Sequence, residues 1–207
     1  MEQDGPALHA NSLDIPENSS VHVSVVSHGQ FGLIENLLKD IARYCHSIPV
    51  QITITLNIPE AINYDLSQHG FPIQILRNKQ PRGFSANHNA AFRYGQQNYP
   101  CRYFAVINPD IRLSADPFPS LLKCLNKDKS GVAAPMVLNA QGSVENSVRR
   151  FPTPYNIMAK VAGGRDRTVY ADYRSIAEPD WAAGMFMLFP ASVYETIGGF
   201  NERYFLY

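Results

Sequence analysis

The sequence predicts an α/β fold: a mostly parallel central sheet covered by helices on both faces. Three observations lead there. Strand-like runs alternate with segments of helical periodicity through the first 137 residues. Tyr103-Phe104-Ala105-Val106-Ile107 is continuously apolar, as a strand buried on both faces is. The chain has 207 residues, 45% hydrophobic and 17% charged, enough to build one core without disulfides or a structural metal.

Residues 1 to 20, with Gly5, Pro6, Pro16 and several Asn and Ser, read as a flexible tail, and 21 to 207 as a single domain. Val21 to Val26 alternates and then turns apolar, which predicts a buried strand ended by Ser27-His28-Gly29. Leu33, Ile34, Leu37, Leu38 and Ile41 recur at helical spacing, predicting an amphipathic helix over Phe31 to Tyr44. Val50 to Leu56 is an alternating, β-rich strand, and Ile73 to Leu76 a shorter one. Ser85 to Tyr94 reads as a helix with Ser85 as its cap. After the strand at 103–107 come a helix around Leu121 to Leu125 and a strand at Val132 to Val137. Asn139 to Asp180 reads only as loops with a short helix. Met185 to Phe189 is a buried strand, and Ala191 to Ile197 a helix stopped by Gly198-Gly199.

Composition removes several function classes. Lys plus Arg and Asp plus Glu are each 18, so no general basic field for nucleic acid exists. The three cysteines, Cys45, Cys101 and Cys124, are widely spaced and read as reduced thiols of a cytoplasmic protein. Residues 1 to 20 lack the apolar core of a signal peptide, and no apolar run approaches 18 residues.

In open α/β sheets, ligands bind outside the carboxyl ends of the strands. That places attention on Ser27 to Gly29, Asn57, Arg77 to Phe84 and Asn108 to Asp110. Asp110 is delivered to that edge by an apolar strand and a turn stiffened by Pro109. A carboxylate there suits a hard divalent ion, which completes its shell with water and substrate phosphates. The plain alternative is a turn in which Asp110 caps the next segment. Arg77, Lys79 and Arg82 concentrate positive charge before Gly83 and a helix start, where backbone donors suit a phosphate. The alternative is a solvated basic loop. The loop matches neither a Walker nor a dinucleotide-binding glycine pattern. Gly83 to Asn87 lacks the closing glycine of a nucleophile elbow, which argues against a Ser85 hydrolase. Trp181-Ala182-Ala183-Gly184, Gly198 to Glu202 and Tyr204 to Tyr207 put aromatics around a glycine-opened strand, a setting for a sugar face or simply for core packing. His28 and His88 fall near the same edge and read as hydrogen-bonded rather than ligating.

Taken in order, these segments resemble the family 2 glycosyltransferases, in particular the rhamnosyltransferase-like enzymes of bacterial polysaccharide assembly. Val23 to Ser27 is similar to their first strand, and Gly83-Phe84-Ser85-Ala86-Asn87-His88-Asn89 to their Gly-Phe-x-x-Asn-x-Asn element. Phe104 to Asp110 resembles their metal-binding strand end. Arg149 to Thr153 resembles a loop they often carry, and Trp181 to Tyr207 their Trp-x-x-Gly strand with its glycine and aromatic sequel.

The resemblance implies a GT-A fold, a nucleotide-diphosphate sugar donor and inversion by one in-line displacement. It also implies Mg2+ or Mn2+ at Asp110. Ser27, Asn57, Arg82, Gly83 and Asn87 would bind on the donor side, and Trp181 and Gly184 would shape the acceptor side. The acceptor would be a polysaccharide or lipid-linked glycan. By the same analogy the chain would work in the cytoplasm, with peripheral association at the inner face of the membrane. Two departures stand out. Leu56-Asn57 replaces the usual Asp-Asn, and Asn201 replaces the Asp beside Glu202. The family's acidic pair follows the aromatic run, whereas this sequence stops at Tyr207. The expectation is a truncated chain that binds donor and turns over poorly, with Glu202 a weak substitute for the base. Its alternative is a non-catalytic remnant that binds a nucleotide sugar or a partner.

Overall fold

The computed structural model describes residues 19–128, 130–145, 147–151, 153–161 and 177–205. Seven strands and five helices are described: β1 (Val21–Ser27), α1 (Phe31–Tyr44), β2 (Val50–Leu56), β3 (Ile73–Arg77), α2 (Phe84–Asn98), β4 (Tyr103–Ile107), α3 (Phe118–Asp128), β5 (Val148–Arg149), α4 (Pro154–Val161), β6 (Trp181–Ala182), β7 (Phe186–Pro190) and α5 (Ala191–Thr196). Five strands form the main sheet in the order β3-β2-β1-β4-β7. The first four run parallel, and β7 closes the edge antiparallel to β4. A separate two-stranded sheet joins β5 to β6.

Strand alternation sorts the sheet into two faces. Val21, Val23 and Val25 of β1, with Tyr103, Ala105 and Ile107 of β4, pack on α1 and α3. On α1, Ile34, Leu37, Leu38 and Ile41 are all fully buried, each worth about 1.5–3 kcal/mol against exposure. Leu33, in the same apolar pattern, is 40% exposed. Phe104 and Val106 point to the other face and join Phe92 of α2 and Tyr194 of α5. Beside this second cluster the face turns polar: His22, Ser24, Thr53 and Thr55 are buried there. His22 Nε2 and Thr53 Oγ1 share a 2.8 Å hydrogen bond, while His22 Nδ1 and Thr55 Oγ1 find no partner among the described residues.

Several sequence expectations need correction. Val132 to Val137 is no strand; one bridge, Ala133 to Leu188, is all it makes with the main sheet. Val132 and Met136 are exposed, so their apolar spacing does not report a buried face. Ser85 is not the cap of its helix: α2 begins at Phe84 with Gly83 in the cap position, and Ser85 is buried within the first turn. The predicted stop at Gly198-Gly199 is present. Both have φ near +75°, the left-handed region that glycine enters without strain. Of the expected tail, residues 1–18 lie outside the described residues. Ser19 is buried, and the Ser20 carbonyl accepts from the Tyr103 amide at 3.1 Å. Among the described residues no helix is long and apolar enough to cross a membrane.

Candidate active site at the carboxyl edge of the sheet

The order β3-β2-β1-β4 turns back on itself between β1 and β4. Such a switch point leaves a crevice at the strands' carboxyl ends. A cleft of about 240 Å³ opens there. Its walls include Val26 of β1 and Gln30 beyond it, Ile107 at the end of β4 with Asn108 to Asp110, and Phe84 and His88 from α2. Leu33 lines it too, which accounts for its exposure.

Asp110 is exposed at the mouth. The turn that carries it is closed by the backbone, with the Ile111 amide donating to the Asn108 carbonyl at 3.2 Å. Asp110 thus has no capping work to do, unlike Asp65 or Asp116, whose carboxylates accept from amides two residues on. The loop beyond is fixed from α1. Arg112 makes a two-pronged bond to Asp40 at 2.6 and 3.0 Å, and the Leu113 amide adds a third contact. The Arg112 bond holds the Asp40 carboxyl below the usual carboxylate range. Among the described residues no three His, Cys, Asp or Glu side chains gather as a metal cage. A single open carboxylate fits a divalent ion that keeps water and draws its other ligands from substrate phosphates.

His88 forms part of the cleft wall. Its Nδ1 bonds Ser24 Oγ at 2.8 Å, and its ring meets Phe84 edge-on at 4.4 Å. Burial pushes its pKa down to about 3, so the ring is neutral at pH 7. It contributes shape and a polar wall rather than charge.

The expected donor-side residues meet next to the cleft. Ser27 is fully buried at the end of β1, and its hydroxyl accepts from the Gln30 amide at 3.1 Å, starting α1. Asn57, at the end of β2, is committed to the protein on both ends of its amide. Its Oδ1 accepts from Asn78 Nδ2 and the Arg82 amide, both at 2.8 Å; its Nδ2 donates to the Arg82 carbonyl at 3.0 Å and meets His28 Nδ1 at 3.1 Å. Asn87 accepts from Asn78 at 2.7 Å and donates to the same Arg82 carbonyl at 3.0 Å. Asn57 and Asn87 therefore shape the Arg82–Gly83 loop. The departure from Asp-Asn lies at Leu56, which is buried in the main core cluster, while Asn57 keeps the family's residue and its bonds to the Arg82 loop.

Arg82 is 41% exposed by side chain and lies 3.7 Å from Glu202. Gly83 abuts the Phe205 backbone: a methyl group on Gly83 would come within 2.5 Å of the Phe205 carbonyl oxygen. Gly83→Ala should therefore displace Phe205 and lower stability by about 1–3 kcal/mol in urea denaturation. The α2 N-terminus is also less open than the sequence implies, since the Phe84 amide already donates to the Phe205 carbonyl at 2.9 Å.

On the other side, Trp181 is 37% exposed on β6 and pairs with Arg149 of β5. Gly184 lies against the Phe84 ring, and the Asn108 amide donates to the Met185 carbonyl at 2.8 Å. Residues 184–185 thus connect the Trp181 strand to the wall that carries Asp110. Glu202 accepts from Asn89 at 3.0 Å and lies near both Arg93 and Arg82. The Asn89 bond, aided by the two cations, holds its carboxyl below the ordinary range, which makes it a poor proton acceptor. Asn201 takes over a cap: its Oδ1 accepts from the Arg203 amide at 3.0 Å.

Asp40 was not singled out from the sequence; Asn78 and Asn89 lay in the segments read there but were given no role. Asn89 stands two residues from Asn87 in the same element, and that spacing was the available signal.

No protein-family model matches the chain. Among curated proteins it is 26% identical over 202 residues to rhamnosyltransferase WbbL of Escherichia coli, covering 90% of this chain and 72% of that one. It is 26% identical over 202 residues to the low-salt glycan biosynthesis hexosyltransferase Agl10 of Haloferax volcanii, covering 97% and 62%. A 30% match over 112 residues, 49% of this chain and 36% of the other, is to an N-acetylglucosaminyl-diphospho-decaprenol L-rhamnosyltransferase of Mycobacterium tuberculosis. Among solved structures, the Pyrobaculum calidifontis mannosyltransferase PcManGT, in complex with GDP-Man and Mn2+, superposes with a TM-score of 0.56 at 16% identity, over 88% of this chain and 47% of that one. Residues 1–349 of S. aureus TarS, in complex with UDP, give 0.57 at 10% identity, over 89% and 51%. The chain spans about half the length of these two solved chains.

The fold is thus GT-A, as the motifs implied. The curated relatives it is similar to are two rhamnosyltransferases and a glycan-biosynthesis hexosyltransferase.

Proposed function

We propose that this domain transfers a hexosyl or rhamnosyl group, with inversion, from a nucleoside-diphosphate sugar to a glycan or lipid-linked glycan acceptor. The observation that carries the reading is the exposed Asp110 carboxylate, free of any capping bond, on a stiff turn at the switch point of the sheet. Asp110 would hold Mg2+ or Mn2+. When bound, such an ion offsets the charge that grows on the departing nucleoside diphosphate. Arg82, on a loop fixed by Asn57 and Asn87, supplies the second positive charge on the donor side. Trp181 and Gly184, joined to the Asp110 wall through Met185, border the acceptor side. Glu202, held by Asn89, Arg93 and Arg82, is not assigned as the base. The same geometry supports donor binding without turnover as the second reading, since the bonds to Glu202 hold its carboxyl low and leave it a poor proton acceptor.

A thermal-shift panel with UDP, GDP and dTDP, with and without Mn2+, tests this. A ligand at about 100 times its Kd adds about 2.7 kcal/mol, a shift of roughly 5–11 °C for a domain of this size. The expected result is a Mn2+-dependent shift with one nucleotide. The absence of a shift with all three, at millimolar nucleotide, would overturn the donor-site reading.

A further inference from the structure

The Asn89 side chain is buried on α2, and all four of its hydrogen bonds leave the helix. Its Oδ1 accepts from the Tyr194 hydroxyl at 2.7 Å and the Phe200 amide at 2.9 Å. Its Nδ2 donates to the Phe200 carbonyl at 2.8 Å and to Glu202 at 3.0 Å. One amide thus grips both backbone groups of Phe200 and the carboxylate two residues on. The gripped segment then reaches back across the start of the same helix: Glu202 approaches Arg82 at 3.7 Å, and the Phe205 carbonyl takes the Phe84 amide. Phe200 also packs its ring on Phe84, a wall of the cleft, at 5.6 Å.

We propose that Asn89 is a positioning residue that seats residues 199–205 against the Arg82–Gly83 loop, coupling the loop on the donor side to the aromatic segment beyond it. The functional meaning rests on the reading of that loop as the donor side. Arg82 is shared between the loop and Glu202, so an anionic donor competes for it. Glu202 keeps Asn89 and Arg93 as partners when Arg82 turns away, so the segment stays seated while the arginine is released. Asn89 touches neither cleft nor loop, yet it sets the outer support of both.

The test compares wild type, Asn89→Asp and Glu202→Gln by residue-resolved amide exchange without ligand. Asn89→Asp removes both donations and sets a second carboxylate against Glu202. The Phe84 amide, which Asn89 does not touch, should then exchange at least about tenfold faster, while β1 and β2 amides keep their protection. Glu202→Gln removes one exposed charge and leaves the fold's core alone, so a faster Phe84 or Arg82 amide there reports coupling rather than general loosening. Unchanged Phe84 exchange in both variants, or an increase spread evenly over β1 and β2, would overturn the proposal. The nucleotide arm separates the two readings: GDP and UDP with Mn2+ are added to each protein. Faster Phe84 exchange in the variants with no nucleotide shift in wild type leaves the positioning intact and removes the donor reading. Where nucleotide shifts wild type, Glu202→Gln should bind it at least as tightly, since Arg82 has lost its competitor; weaker binding in Glu202→Gln would overturn the competition between Glu202 and the donor.

Discussion

Asp110→Ala is expected to abolish the Mn2+-dependent part of nucleotide binding and to cut sugar transfer by about 10²–10³-fold, a loss of several kcal/mol of charge stabilisation. The fold should survive it. Asp110 is exposed, and the turn around it is closed by the Asn108 carbonyl and the Asp40–Arg112 pair rather than by its own carboxylate. The melting temperature without ligand should therefore stay within a degree or two, because surface substitutions away from caps and networks usually change stability by under about 0.5 kcal/mol. Asp110→Asn keeps the shape and removes the charge, and should behave like Ala. Arg112→Ala gives the opposite profile. It leaves Asp40 short of its cation, loosens the loop and lowers stability, while Asp110 remains present to bind metal. An Asp110→Ala protein that still shows a full Mn2+-dependent shift would move the metal site away from β4 and take the proposed function with it.

The sequence made Asp110 readable because everything that places it is local: an unbroken apolar strand, then Asn-Pro-Asp. The bounds of α1 were readable for a similar reason, since its apolar stripe is a property of fourteen consecutive residues. Direction was not readable. β7 has the same apolar character as β4, yet it runs antiparallel, and periodicity carries no sign of orientation. The expected strand at 132–137 failed for a related reason, because apolar spacing is shared by strands and by exposed connections such as the one that makes a single bridge to Leu188. At the site, residue types were readable and their partners were not. Asn57 and Asn87 were expected on the donor side, and both bond the Arg82–Gly83 loop, with partners 5 to 29 residues away. Asn89 was quoted as part of the Gly83 to Asn89 element without a role, and its partners lie 105 to 113 residues away. No window of sequence holds both ends of such a bond.

Acidification is expected to destabilise the domain by several kcal/mol before most of its carboxylates titrate. An unfolded histidine titrates near 6.5. Burial lowers His22 to about 4 and His88 to about 3 in the folded chain. Between those values the unfolded chain binds more protons than the folded one, so stability falls as pH falls. Each histidine contributes up to about 1.4 kcal/mol per pH unit in that window, so from pH 6.5 to 4.5 the pair removes on the order of 4–5 kcal/mol. That is a large share of the stability of a domain of ordinary size, about 5–15 kcal/mol. The carboxyls held low by their partners, Asp40 beside Arg112 and Glu202 beside Asn89, keep their contribution through this window and lose it only at lower pH. Urea midpoints measured at half-unit steps from pH 7.5 to 4.5 should fall steeply below 6.5, and His22→Gln should remove about half of the slope. A flat profile would mean that the layer between α2 and the sheet admits water to both rings. The position of His88 ties this to function. It joins Ser24 of β1 to the cleft wall beside Phe84, so protonating it separates α2 from the sheet at the point where α2 carries the donor-side loop. Nucleotide binding should disappear over the same pH range as the urea midpoint falls. Binding that persisted at pH 4.5 in a destabilised protein would separate the loop from the helix that is held here to support it.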